Sequence, residues 1–244
     1  MQISRRALFL AGLALSGAAA AAEPIVTDNR VITDDRRLAI LEAKLASLQK
    51  QVELLEDVKA IERLQQAYGY YISEGMGEEA ADLFSDSPTA SIELGLQGVY
   101  VGKERIRAFL THESNRLKDG EIREAPIMQG VIHVAPDGRT AKARWRTLVM
   151  GGMHGKDGTW AEGPFENEYV KEDGVWKLSK VHWYVSMIGS YDEGWHRKPL
   201  PAPGPLADLP PDRPPSEEYQ PYPAFYLPPY HYAHPITGQP VVWE

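Results

Sequence analysis

The sequence predicts an α+β fold, and three observations predict it. Helix-period apolar runs dominate residues 36–113, two long strand hairpins fill residues 127–190, and strands and helices never alternate as a doubly wound sheet requires. Helices followed by long hairpins pack on one face of a mostly antiparallel sheet.

The first 22 residues stand apart. Ser4-Arg5-Arg6-Ala7-Leu8-Phe9-Leu10 is a basic start followed by an apolar run, and Ala18 to Ala22 offers small residues for cleavage before Glu23. That is the pattern of a secretory signal peptide, with paired arginines that resemble a twin-arginine signal. The apolar run is shorter than the ~20 residues of a bilayer span. No stable membrane anchor is expected after cleavage, and the mature protein is expected to be periplasmic or secreted.

Residues 23–56 are read as a linker and a heptad helix. Glu23 to Asp35 is the linker; then Leu38, Leu41, Leu45, Leu48, Val52 and Leu55 recur at alternating steps of three and four, with Glu, Lys and Gln around them. This seam is expected to join copies of the chain as a homo-oligomer, a dimer or a trimer.

The main domain is read as residues 57–192. Val58, Ile61, Leu64 and Tyr68 continue the helix until Gly75 and Gly77 break it. Glu78 to Phe84 forms a second helix, Ala90 to Leu94 a strand, and Lys103 to Glu113 a third helix with Ile106, Phe109 and Leu110 on its buried stripe. Ile127 to Val134 and Thr140 to Met150 flank the turn Pro136-Asp137-Gly138-Arg139, and Phe165 to Lys171 and Trp176 to Ser190 flank Glu172-Asp173-Gly174. Lys142, Arg144 and Arg146 alternate with Ala141, Ala143 and Trp145, so the basic stripe is expected to face outward.

Residues 193–244 change composition abruptly. Fourteen of the 19 prolines lie between Pro199 and Pro240, together with Tyr219, Tyr222, Phe225, Tyr226, Tyr230 and Tyr232. Disordered tails are poor in aromatics, so an extended arm docked on the domain or on a neighbouring subunit is expected.

The formal net charge of −8 argues against a nucleic-acid partner. The absence of cysteine removes thiol catalysis and disulfides. No phosphate loop, HExxH or EF-hand loop is present, and the seven histidines lack the i, i+4 spacing of helical metal ligands. Nothing asks for a metal or cofactor. The remaining style of chemistry is acid–base work in a dry pocket, with a tyrosine hydroxyl for an oxyanion and a His or Glu to move a proton.

Tyr68-Gly69-Tyr70-Tyr71-Ile72-Ser73-Glu74-Gly75, the acidic helix ending Asp82-Leu83-Phe84, and Gly98-Val99-Tyr100-Val101-Gly102-Lys103-Glu104 together resemble the SnoaL-like branch of the NTF2-like superfamily. The resemblance implies a cone in which helices pack on a curved sheet around one pocket, and cofactor-independent chemistry there. Against the related ketosteroid isomerases, Tyr68 falls on the oxyanion-hole tyrosine and Glu93 within a residue or so of the catalytic aspartate. Against scytalone dehydratase, Asn167 falls on a strand-borne catalytic histidine, and His182, Tyr184 and Ser186 share one face of the last strand. Many SnoaL-like proteins carry an aspartate where this chain has Ser73, and the dehydratase histidine near the start of the hairpin is replaced by Ala125. The resemblance thus implies Tyr68, Glu93 and His182 as catalytic, with Tyr71, Asn167, Tyr184 and Trp145 around a small apolar or aromatic substrate. His112 is a further candidate, and Trp160, Trp183 and Trp195 could add to an aromatic lining. Val181-His182-Trp183-Tyr184 and the Pro/Tyr-rich arm are also similar to bacterial lyases that release formaldehyde from lignin-derived diarylpropanes.

The expectation is an exported cofactor-independent lyase or isomerase acting on a small aromatic or polycyclic molecule. It would eliminate water or release formaldehyde by a retro-aldol step. The alternative is a non-catalytic periplasmic binding protein for an apolar small molecule.

Overall fold

The computed structural model describes residues 34–242. The expected signal peptide and most of the expected linker fall at residues 1–33, outside the described residues. The chain divides into two compact units, residues 1–45 and 46–244; the described part of the first is the exposed start of a helix.

That helix, α1 (Asp34–Ser73), begins two residues inside the expected linker. Asp34 and Asp35 sit in its first turn, where negative charge suits the helix dipole. From Ile61 onward one face is buried through Ile61, Gln65, Tyr68 and Gly69, the three-to-four spacing of a core-facing stripe. Gly75 at φ 69° ends the run in a conformation that favours glycine. Then come α2 (Gly77–Asp82), β1 (Ser91–Leu94), β2 (Val99–Val101) and α3 (Lys103–Leu110). Gly77 lets the helical layer close: a Cβ there would stand 2.4 Å from the Leu110 carbonyl oxygen.

The remaining strands are β3 (Glu121–Glu124), β4 (Ile127–Val134), β5 (Thr140–Met153), β6 (Asp157–Glu172), β7 (Val175–Trp183) and β8 (Met187–Ser190). They form one sheet in the order β2-β1-β7-β6-β5-β3, with β4 also on β5 and β8 also on β6. Only β1 and β7 run parallel. The two longest strands pair from Thr140↔Val170 to Met153↔Asp157, and each serves two successive neighbours on its other edge. The expected single strand Trp176 to Ser190 is two strands. The chain leaves β6 at Tyr184, crosses Gly163, where a Cβ would stand 1.8 Å from the Tyr184 carbonyl oxygen, and rejoins as β8. The strand β3 was not read from the sequence.

Ala141, Ala143 and Trp145 face the helices and join Ile61, Tyr68, Phe165 and Tyr169 in the core. Lys142, Arg144 and Arg146 face outward and pair with Glu168, Glu166 and Glu162 on the adjacent strand.

The proline-rich arm first passes along the β2 edge and α3 and then lies on that outer face of its own domain. Tyr100 Oη donates to the Leu209 carbonyl at 2.8 Å, Val99 bridges to Arg213, the Val185 N–H donates to Tyr219 Oη at 2.9 Å, and His231 bonds Glu166 at 2.7 Å. Tyr219 is buried by this docking.

Candidate active site

Tyr68 projects from the last turns of α1 into the core, edge-on to Phe84 and to Phe165 with ring centroids 6.2 and 6.4 Å apart. It is fully buried, and its hydroxyl has no hydrogen-bond partner. Burial pushes its pKa well up, with the Arg123 charge pulling weakly the other way, so the phenol keeps its proton.

Next to Phe165 lies a cavity of about 140 Å³. Ile72, Leu94, Leu110, Phe165 and Trp183 make its walls apolar, and Tyr71, Asn115, Arg123 and Thr147 supply the polar groups. Most of those groups are already engaged. Asn115 Nδ2 donates to the Phe109 carbonyl at 2.8 Å, and Thr147 Oγ1 donates to the Pro126 carbonyl at 2.9 Å. Arg123 Nη2 donates to the Asn115 carbonyl at 2.6 Å, while its buried Nε has no partner. Burial lowers the Arg123 pKa, against the opposing pull of Glu121 and Tyr68. Ser73 and Ala125, the positions where the aspartate and the histidine of the resemblance are missing, touch each other: the Ala125 N–H donates to Ser73 Oγ at 3.0 Å.

Asn167 and Trp145 do not line this cavity. Trp145 Nε1 donates to Tyr169 Oη at 2.8 Å, and Tyr169 Oη and Asn167 Nδ2 both donate to Gln65 Oε1, at 2.5 and 3.0 Å. Asn167 Oδ1 accepts the His182 backbone N–H at 3.0 Å. Their polar atoms tie α1 to β6 and β7 and are not free for substrate. Asn167 borders the outer-face cleft with His182 and Tyr184, and Trp145 a groove beneath the arm, so neither meets the expected substrate-binding role at this cavity.

The expected catalytic set is split by the sheet. Trp183 pairs with Phe165 on the helix-facing side, so His182 lies on the opposite face, in register with Glu93 on β1. There His182 stacks on Tyr184 at 3.9 Å with Nε2 3.6 Å from Glu93 Oε1. The arm roofs them. Glu93 accepts from the Ser216 N–H at 2.8 Å and from its hydroxyl at 2.5 Å, and Glu217 accepts from the hydroxyls of Tyr184 and Tyr226. A cleft of about 280 Å³ borders this cluster. Its carboxylates are taken, Glu166 by Arg144 and His231, Glu168 by Lys142, and Glu217 by the two tyrosines. Tyr71 therefore lines the cavity, Tyr68 stands behind its Phe165 wall, and Glu93, His182 and Tyr184 are on the other face of the sheet. His112 is likewise engaged, with Asp208 of the arm at 3.1 Å.

Sequence reasoning missed Arg123, Asn115 and Thr147. The signal for Arg123 was the alternation Glu121-Ile122-Arg123-Glu124, which makes a strand and turns Arg123 to the side opposite Ile122. Among the described residues no three His, Asp or Glu side chains converge so as to hold a metal ion.

A family model described as the SnoaL-like domain matches residues 53–182. No curated protein matches the chain. Among crystal structures, a putative scytalone dehydratase from Novosphingobium aromaticivorans DSM 12444 is 18% identical with a TM-score of 0.52; the match covers 64% of this chain and 97% of that one. The LinA-type3 hexachlorocyclohexane dehydrochlorinase from Novosphingobium barchaimii LL02 is 17% identical with a TM-score of 0.50, over 57% of this chain and 93% of that one. At these identities the likeness is one of fold.

Proposed function

Since the chain belongs to the SnoaL-like domain family, we propose that it is a cofactor-independent lyase or isomerase acting on a small aromatic molecule held in the cavity beside Tyr68. One observation carries this reading: a fully buried tyrosine hydroxyl without a protein partner lies in the core against Phe165, itself a wall of an apolar cavity. A buried donor left unmatched in the free protein is costly to stability. It becomes useful when a reacting oxygen gains negative charge in front of it. A cavity of about 140 Å³ is close to the ~150 Å³ that holds one benzene, so the reading narrows to one aromatic ring, or one ring of a larger molecule, rather than a steroid. Two relatives by fold are named for eliminations, a dehydratase and a dehydrochlorinase, which favours loss of water; retro-aldol release of formaldehyde rests on the sequence resemblance alone.

Either reaction releases a proton, from carbon in the dehydration and from a hydroxyl in the retro-aldol step. No carboxylate or imidazole lines the cavity, so that proton leaves to solvent through the cavity mouth while the Tyr68 hydroxyl donates to the substrate oxygen that becomes negative. Because burial holds its proton, Tyr68 serves as donor and not as base. The signal-like leader supports an activity in the periplasm or outside the cell.

A second reading has its own support. Ser73 and Ala125 stand in contact where the resemblance sets an acid and a histidine, and neither side chain moves a proton near neutral pH. The cavity would then serve a carrier or sensor.

One experiment separates the two. The mature protein, without added metal or cofactor, is incubated with single-ring aromatic diols and hydroxyketones, with steroids as the oversize control, and products are followed by mass spectrometry. The enzyme reading expects loss of water, loss of formaldehyde or isomerisation. It also expects Tyr68→Phe to slow turnover by about 10²-fold, the typical loss of one oxyanion donor, at undiminished stability. Tight binding with no product establishes the carrier, and an unchanged rate in Tyr68→Phe removes Tyr68 from the chemistry.

A further inference from the structure

We propose that the cavity selects a ligand bearing an anionic oxygen, a carboxylate or a phenolate on a single aromatic ring, and that Arg123 is the residue that selects it. The inference rests on the cavity being a ligand site and does not require turnover.

The polar groups around the cavity divide unevenly. Asn115 and Thr147 have donated their side-chain hydrogens to backbone carbonyls, and Ser73 Oγ accepts from Ala125. Two fully buried donors here lack an acceptor, the Arg123 Nε–H on the cavity wall and the Tyr68 hydroxyl in the core beside it. No carboxylate or imidazole lines the cavity, so its one formal charge, on Arg123, is complementary to an acceptor atom bearing negative charge. One of the donors is a guanidinium, which is always charged and matches a carboxylate or phenolate oxygen.

The charge of Arg123 is also unanswered. Arg105, Arg107, Arg144 and Arg146 each form an ion pair with an Asp or Glu. Among the described residues Arg123 forms none. The carboxylate that acts on its charge is Glu121 on the same strand, and its Oε2 accepts from the Lys118 N–H. An unpaired cation facing an apolar cavity is unfavourable, and an incoming anion would relieve that cost. The Asn115 carbonyl fixes one end of the guanidinium at 2.6 Å, so Nε is held in place before a ligand arrives.

The test is calorimetric titration of the mature protein with matched pairs: benzoate against benzamide, and 4-nitrophenolate against nitrobenzene. The wild type is expected to bind at least one anion tenfold or more tightly than its neutral match, and the pair that shows the effect tells carboxylate from phenolate. In Arg123→Met the preference is expected to fall to about twofold or less, with binding of the neutral compound retained as evidence of an intact cavity. Arg123→Lys, which keeps the charge without the fork, should keep part of the preference. Equal binding of anion and neutral match, no binding of either, or a preference that survives Arg123→Met overturns the proposal. Anion preference without turnover of any substrate would leave this inference standing and remove the catalytic reading; turnover without anion preference would do the reverse.

Discussion

Tyr68 and His182 are both buried, and each has a polar atom without a partner, yet the two call for opposite expectations. Tyr68 packs on Phe165, a wall of the cavity; His182 lies between the sheet and the arm beside the outer-face cleft, with its side chain 2% exposed. Burial lowers the imidazole pKa to about 3, against about 6.5 in an unfolded chain. Above pH 6.5 both states are neutral and the residue adds no pH dependence. Between 6.5 and about 3 the unfolded chain takes a proton that the folded one refuses. Stability should therefore fall as pH drops, by at most about 1.4 kcal/mol per unit; Glu93 at 3.6 Å from Nε2 reduces that slope by favouring the cation. Unfolding midpoints measured from pH 7 to pH 4 should fall less steeply in His182→Gln than in the wild type, while ligand binding at pH 7 stays unchanged. Parallel curves, or lost binding with intact folding, would return His182 to the site. The sequence made Tyr68 legible because its helix stripe and its neighbours agree. His182 misled because period-two alternation tells which residues share a face, and leaves open which face is which.

At the scale of elements, the same ambiguity has a physical source. In a sheet with one wet face, alternation of polar and apolar residues marks the inside. Here the arm covers the outer face, so β7 buries Val181 toward the helices and His182 toward the arm. Both faces then read as interior. The long hairpins were legible because turn residues and β-branched runs bracket them. The strand β3 was not, because four residues with two glutamates and an arginine look like loop, and its pairing with the end of β5 is a tertiary matter. The arm's docking was foreshadowed by its aromatics, though not its address. Tyr219 tests that address. Its hydroxyl oxygen accepts the buried Val185 N–H at the gap between β7 and β8. Tyr219→Phe leaves that donor unmatched, which costs about 1–3 kcal/mol, and should lower the thermal midpoint and speed proteolysis within residues 199–242. An unchanged midpoint would mean that the arm adds little to the domain beneath it.

At the scale of the whole molecule, the unexplained surface is the start of α1. Leu38, Leu41, Leu45, Leu48, Val52 and Leu55 are each between 48% and 66% exposed, whereas Ile61 on the same helix is fully buried. Six large apolar side chains at heptad spacing, left in water, fit the same face of a second copy. Charge decides the direction. With the leucines and Val52 at the two core positions, Arg37 and Lys44 flank the seam on one side and Glu42 and Glu56 on the other. A parallel, in-register pair sets Arg37 of one copy against Glu42 of the other. An antiparallel pair sets like charges together along both flanks, which is unfavourable. The seam spans only about two and a half heptads, fewer than a coiled coil needs to stand alone, so assembly should be concentration-dependent. The chain has no cysteine, which makes the orientation measurable. Leu41→Cys and Leu55→Cys, each alone, should form covalent dimers on mild oxidation, since equivalent core positions in a parallel pair come within disulfide reach. Cross-linking only when the two variants are mixed would establish the antiparallel arrangement. Deleting residues 36–55 should give monomers by light scattering; oligomers that persist would move the interface to the sheet or the arm.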